Sequence, residues 1–229
     1  MSMEDYIAAR KEGIKQLHAL ESRGQDPYLP VLAELVPKLN QMAQVPLGLV
    51  QIGLDQIEGT ATKGRTTAFA RGFLPLLEQD SEFATKWSIL YDGIVEDGLR
   101  QPIVALEYYN RFYIVEGNKR VSVMRRLDAV NIEANVTRVL PEAEDSERYR
   151  VYQEFLSFYA DTKLNFIVFS REGSYERLYK LIGKTPGEKW TPEDLFDFQS
   201  CFYRFQQAYA ARLVGEIPMS ACDPLLIYL

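Results

Sequence analysis

Histidine is almost absent from this chain, in which His18 is the only one. It sits midway along a helical packing segment, so zinc sites and Ser-His-Asp catalysis are both excluded. Cysteine is nearly as scarce. Cys201 and Cys222 are too few for a disulfide framework, and neither belongs to a C-x-x-C unit. Their apolar surroundings point to inert thiols in a reducing cytoplasm. No apolar run approaches the ~20 residues needed to span a bilayer. The N-terminus is charged from Glu4 onward and lacks the apolar core of a signal peptide. The expectation is a cytoplasmic chain with no membrane partner. A basic surplus is missing too: 26 Lys and Arg stand against 32 Asp and Glu, a formal net charge of −6. Proteins that grip duplex DNA by its phosphates carry the opposite balance. DNA is therefore disfavoured as the main ligand, while a local basic pocket stays open.

What is abundant is apolar and aromatic. Of 229 residues 47% are hydrophobic, with 14 Tyr and 12 Phe, enough for one full core or two small ones. Three zones follow along the chain. Residues 1–44 read as helical packing elements, with Tyr6, Ile7, Ile14, Leu17 and Leu20 at helical spacing up to Gly24. A second helix is expected to carry Leu32, Leu35, Val36 and Leu39. Residues 45–140 mix strands and helices: a strand at 47–52, a Gly/Thr/Lys loop at 59–65, a helix at 66–77, and a helix capped by Ser81 that ends at Gly98. Strands at 102–107 and 112–116, a helix from Asn118 and a strand at 132–140 complete the zone. Residues 141–229 read as aromatic-rich helices, with a candidate short strand at 165–169 and a helix opened by Thr191-Pro192. Their Tyr and Phe stripes fit a core better than a base-stacking platform. One compact unit is expected.

The most informative stretch is Val115-Glu116-Gly117-Asn118-Lys119-Arg120, where an apolar strand turns into an amphipathic helix. A glycine there lets the backbone approach a ligand, and free N–H groups at a helix start favour an anion. Lys119 and Arg120 add two cations in the first turn, against the helix dipole. A phosphate explains them. The alternative is a surface helix start whose basic residues meet the acidic third zone. Upstream, Asp55 and Glu58 can hold Mg²⁺ together with phosphate oxygens, or Glu58 can act as a general base. Both also read as ordinary loop carboxylates, and Arg65, beside Lys63 and Gly64, also reads as a solvated loop residue.

Taken together, the run from Gly93 through Gly98, Gln101-Pro102-Ile103-Val104, a strand hairpin and Glu116-Gly117-Asn118-Lys119-Arg120 resembles the ParB/sulfiredoxin-like fold over residues 45–140. The resemblance implies an α/β (α+β) fold, a small mixed sheet flanked by N- and C-terminal helices. It implies binding of a nucleotide (ATP, ADP or CTP, with or without Mg²⁺) or a phosphorylated small molecule. Gly117, Asn118, Lys119 and Arg120 would lie at the phosphates, Gln101, Pro102 and Ile103 along the strand lining the site, and Arg65 in the opposite loop. Asn118 stands where the family carries a glutamate. Glu116 is the candidate substitute, which makes Glu58 and Glu116 the candidate catalytic carboxylates of a nucleotide hydrolase or small-molecule kinase. Sulfiredoxin repair chemistry is excluded, since no cysteine precedes the arginine. Two alternatives remain: a DNA-associated, ParB-like or nuclease-like protein, and a non-catalytic sensory or scaffolding module. More narrowly, Pro27 to Pro30, Gly64 to Phe69, Phe83 to Trp87 and Glu116 to Val123 resemble a segment that precedes BMP-type substrate-binding domains in Firmicutes.

Overall fold

The computed structural model describes residues 2–64, 66–210 and 222–229. The chain divides into two compact units, Met1–Pro141 and Glu142–Leu229, where the sequence suggests one.

The first unit contains α1 (Ser2–Glu21), α2 (Leu32–Leu35), β1 (Gln44–Gly53), β2 (Ile57–Thr60), α3 (Glu82–Asp97), β3 (Ile103–Tyr108), β4 (Arg111–Glu116), α4 (Asn118–Arg126) and β5 (Asn131–Val139). The strands form one five-stranded sheet in the order β1-β5-β3-β4-β2. β1–β5 and β3–β4 are antiparallel, while β3–β5 and β2–β4 are parallel. This is the mixed α/β architecture, helices flanking a small mixed sheet, that the sequence predicts. β3 and β4 form a hairpin whose last pair is Tyr108↔Arg111. Its two turn residues, Tyr109 and Asn110, have φ of 51° and 62°, as a two-residue type I′ turn requires.

Strand alternation divides the buried side chains between the two faces of the sheet. Ile103 and Ala105 of β3, Phe112 and Ile114 of β4, and Ile132, Ala134 and Val136 of β5 share a core with Tyr6, Phe83, Trp87, Val121 and Val123 of the helices. The opposite face carries a smaller cluster of Leu32, Leu39, Tyr113 and Val139. Aromatic edges lock the main core: the Tyr6 and Trp87 rings lie 5.5 Å apart and the Phe69 and Phe83 rings 5.3 Å apart, both in T-shaped contact. Trp87 Nε1 donates to Ser122 Oγ at 2.9 Å, so the one polar atom of this large side chain is satisfied inside the core.

Several local expectations change. α1 buries Tyr6, Ala9 and Gly13 rather than the Ile7 face, and Ile7 is 43% exposed. Small residues let the helix approach closely: a Cβ on Gly13 would lie 2.7 Å from the Pro75 carbonyl oxygen. The segment at 66–77 is a short 3-10 turn, Thr66–Ala68, followed by irregular chain. Phe73 has φ of 63°, and the backbone groups of this stretch bond outside any helix. Gly72 N–H donates to Gln16 Oε1, while the carbonyls of Leu76 and Leu77 accept from Arg10 and Tyr6. Apolar spacing here serves the core through Phe69 and Phe73 without a helix. The helix expected around Leu32 to Leu39 is only the single turn of α2 and a 3-10 turn, Leu39–Gln41. Pro37 disfavours helical backbone at the residue before it, and Val36 sits at φ −128°, ψ 84°. β2 replaces the start of the expected 59–65 loop.

The second unit contains α5 (Glu147–Thr162), α6 (Ser174–Ile182), α7 (Pro192–Ala210) and α8 (Leu225–Tyr228). Most of its aromatics are core, as their spacing suggests, while Phe196, Tyr203 and Tyr228 are exposed. Phe158 is fully buried and lies 5.2 Å from the Tyr175 ring and 5.8 Å from the Trp190 ring. The segment at 165–169 is not a strand. Its carbonyls accept from Tyr175 Oη at Ile167 and from Cys222 N–H at Val168. Among the described residues no helix is long and apolar enough to cross a membrane.

Candidate functional site

The turn between β4 and α4 is shaped by one contact. Gly117 adopts φ 114°, ψ 20° as the residue preceding α4, a conformation L side chains rarely reach. A Cβ there would lie 2.6 Å from Ile103 Cγ2. The strand end and the helix start thus meet with no room for a side chain. Having none, Gly117 cannot cap the helix through one, and the first amides of α4 lack an intrahelical acceptor by helix geometry. Val121 N–H, donating to Gly117 O at 3.0 Å, begins the helical ladder. Val121 and Val123 then anchor α4 in the core.

Around this turn lies a cavity of about 440 Å³, within the size range of small-molecule sites. Its floor is Glu116 to Arg120, and Phe69, Phe83 and Leu90 supply apolar wall. Lys119 Nζ stands 4.5 Å from the centre of the Phe83 ring, a cation–π contact. Arg120 is more committed. Its Nη1 donates to the carbonyls of Gln101 and Pro102, and its Nη2 pairs with Glu116 Oε1 at 3.0 Å. Its side chain is 14% exposed against 72% for Glu116, so the arginine is a partly buried strut and the glutamate hangs in solvent. Asn118 Oδ1 is buried without a hydrogen-bond partner among the described residues, an open acceptor at the site.

On the far side of Arg120 is a second cavity of about 350 Å³. Ile89, Leu90, Ile94 and Leu99 make it apolar, and Gly93 keeps it open: a Cβ added there meets nothing within 4 Å. The two cavities share Leu90 and Arg120.

The structure therefore brings together Glu116, Gly117, Asn118, Lys119 and Arg120. Gln101 and Pro102 belong to the site through their carbonyls, and Ile103 through its packing under Gly117. Arg65 lies outside the described residues. Glu58 is not among the residues lining either cavity. It sits on β2 with Oε1 4.0 Å from Arg71 Nη2. Asp55 has a pKa raised above the usual carboxylate value, by burial first, against the lowering pull of backbone donors, Arg111 and Arg125. Arg125 donates to the carbonyls of Leu54, Ile57 and Gly72 at 2.8, 2.9 and 3.0 Å. That end of β2 is thus organised by a structural arginine. Among the described residues no cluster of three His, Cys, Asp or Glu side chains could hold a metal ion. Glu116 is the one carboxylate among the described residues lining the larger cavity.

The apolar walls and the second cavity escape sequence reasoning. Gly93 is the residue that could have marked the latter, a glycine inside an otherwise strong helix pattern, where it is costly without a packing or functional reason.

No protein-family model matches the chain, and no curated protein matches it. Among solved structures it is similar to sulfiredoxin from Arabidopsis thaliana, with 20% sequence identity, over 38% of this chain and 82% of that one, at a TM-score of 0.28. The fold class rests on the sheet and helices themselves: a mixed α/β protein with a five-stranded sheet.

Proposed function

We propose that the first unit is a nucleotide-binding module of ParB/sulfiredoxin-like type that holds the phosphates of its ligand at Gly117 to Arg120. The observation that carries this reading is the glycine turn itself: left-handed, closed against Ile103 and opening a helix whose first amides border a cavity beside Lys119. Amides at a helix start and a nearby ammonium suit a phosphate. The neighbouring apolar cavity suits the nucleoside, with the Arg120 guanidinium between the two. ATP, ADP and CTP are the nucleotides to test first, with and without Mg²⁺. Glu116 is the one described carboxylate at hand for a metal bridging to phosphate oxygens.

Binding is favoured over turnover. Glu58 stands apart from the cavity, Glu116 is paired to Arg120, and Asn118 offers no general base. The free thiols Cys201 and Cys222 fit action in the cytoplasm.

A thermal-shift screen of ATP, ADP, CTP and GTP, each with and without Mg²⁺, tests the reading. A ligand bound only by the folded chain at 100 times its Kd adds about 2.7 kcal/mol of stability. The expected result is a shift with at least one nucleotide that shrinks in Lys119→Ala. Gly93→Phe, which fills the second cavity, should weaken nucleotide binding and spare that of pyrophosphate. No shift with any nucleotide, or a shift untouched by Lys119→Ala, overturns the proposal. Salt-steep binding to duplex DNA would favour the nucleic-acid alternative instead.

A further inference from the structure

Helix α7 presents a second kind of surface. One side is sealed into the aromatic core of the second unit by Phe198, Phe202 and Phe205, all nearly buried. The other side shows two large aromatic rings to solvent: Phe196 is 69% exposed and Tyr203 is 62% exposed. They are seven residues apart, so at 100° per residue they lie on one stripe, two turns from each other. Ser200, a small residue, sits between them on the same stripe. Isolated exposed apolar residues are ordinary, but two large rings aligned on one helix face form a patch that asks for a partner.

The charges beside the stripe select the partner. Glu193, Arg204 and Asp197 all flank it on the same side, within about 40° of one another on the helical wheel. All three are exposed, and none makes a hydrogen bond or ion pair among the described residues. In an antiparallel pair related by a two-fold axis, equal flanks of the two helices face each other. With the axis at the midpoint of Phe196 and Tyr203, each ring meets the other residue's ring on the opposite copy. Arg204 then projects to a level between Glu193 and Asp197 of the second copy, about 3 Å along the axis from each at 1.5 Å per residue. Parallel pairing would instead set this flank against the opposite flank of the second copy, which carries Leu195, Gln199 and Gln206 and offers Arg204 no acidic partner.

We propose that α7 is a self-association surface through which two copies of this chain pair antiparallel, with Phe196 and Tyr203 at the centre and Arg204 held between Glu193 and Asp197. The complementary charges fix direction and register, while the rings supply the attraction. The surface does not depend on the phosphate site.

Sedimentation velocity and light scattering of the full chain across a micromolar to near-millimolar dilution series test it. The expected result is a concentration-dependent rise from 26.3 kDa toward twice that mass. Phe196→Glu combined with Tyr203→Glu should abolish the rise while leaving the helical circular dichroism signal and melting temperature in place, since both side chains are exposed. Arg204→Glu should weaken association at least tenfold, and adding Glu193→Arg and Asp197→Arg to it should restore association. A chain that stays monomeric throughout overturns the proposal. So does a dimer indifferent to the aromatic pair, or one that Arg204→Glu leaves unchanged or strengthens, as parallel pairing or a different interface would give.

Discussion

Gly117 and Ile103 are in contact at the limit of what the backbone allows, with 2.6 Å separating Ile103 Cγ2 from the place a Cβ of residue 117 would occupy. Two costs therefore coincide in Gly117→Ala: a left-handed backbone for a residue with a Cβ, and overpacking of a buried isoleucine. Together they should lower stability by about 3 kcal/mol, measured by urea denaturation. Ile103→Ala removes the clashing methyl but not the strained φ. Gly117→Ala should therefore cost visibly less in that background than in the wild type. Equal costs in both backgrounds would mean that the contact does not matter.

Arg125 concentrates three charge-assisted hydrogen bonds on the carbonyls of Leu54, Ile57 and Gly72, and its guanidinium lies 5.0 Å from the Phe73 ring centre. Arg125→Met keeps the stem but leaves carbonyl groups without their donor. A loss of about 3 kcal/mol is expected. Arg125→Lys should recover little, because one ammonium cannot reproduce a planar fork reaching three acceptors. Full rescue by lysine would show that charge alone is needed.

The raised pKa of Asp55 has a definite consequence for pH dependence. The folded chain holds this proton more tightly than the unfolded chain, so ionised Asp55 opposes folding at neutral pH. That penalty is relieved as pH falls through the folded-state value. Asp55→Asn should therefore raise the melting temperature at pH 7, with the gain shrinking as the wild type itself becomes protonated in acid. A destabilised Asp55→Asn at pH 7 would show that attraction to Arg125 and Arg111 outweighs burial.

Glu116 supplies a prediction that separates a competing carboxylate from a catalytic one. Its Oε1 lies 3.0 Å from Arg120 Nη2, where it neutralises a cation that a bound phosphate would otherwise use. Glu116→Gln should tighten polyphosphate binding several-fold, since an exposed pair of this kind is worth up to about 1 kcal/mol. Isothermal titration calorimetry with ATP and pyrophosphate would record it. Weaker binding restricted to Mg²⁺-containing samples would assign Glu116 to the metal instead.

How legible the fold was depended on whether local signals and tertiary contacts agreed. The bracket of α3 agreed: Ser81 Oγ accepts from Ala84 N–H, and Gly98 closes the helix at φ 76°. The hairpin and the turn at Gly117 agreed as well, because glycine and asparagine there answer to backbone geometry that sequence can express. Residues 66–77 did not agree. Their apolar spacing matches a helix, but the carbonyls of Leu76 and Leu77 and the amide of Gly72 are claimed by α1, which lies more than 50 residues away in sequence. β2 was hidden for a related reason. It is four residues long and exists through pairing with β4 and through the close approach of Gly59 to Pro30, where a Cβ would lie 2.1 Å from a carbonyl oxygen. At the site, the motif residues were readable but their commitments were not. Nothing in the spacing of Arg120 tells that two carbonyls and Glu116 already occupy it, nor that Glu58 stands on a strand away from the cavity.

The order of strands across the sheet also dictates when the sheet can close. Its two outer positions belong to β1 and β2, the first strands made, while their neighbours β5 and β4 come from the far end of the unit. During synthesis both early strands must wait, unpaired, until the β3–β4 hairpin and finally β5 emerge. Pairings that wait on long loop closure are slow and leave strand edges open meanwhile. The hairpin, with its two-residue turn, is the natural nucleus, and β5 is the piece that completes the sheet. A chain cut short before Asn131 would be left with β1 and no partner for it, so the turn at Gly117 cannot rest on a finished sheet until the last strand of the unit is in place.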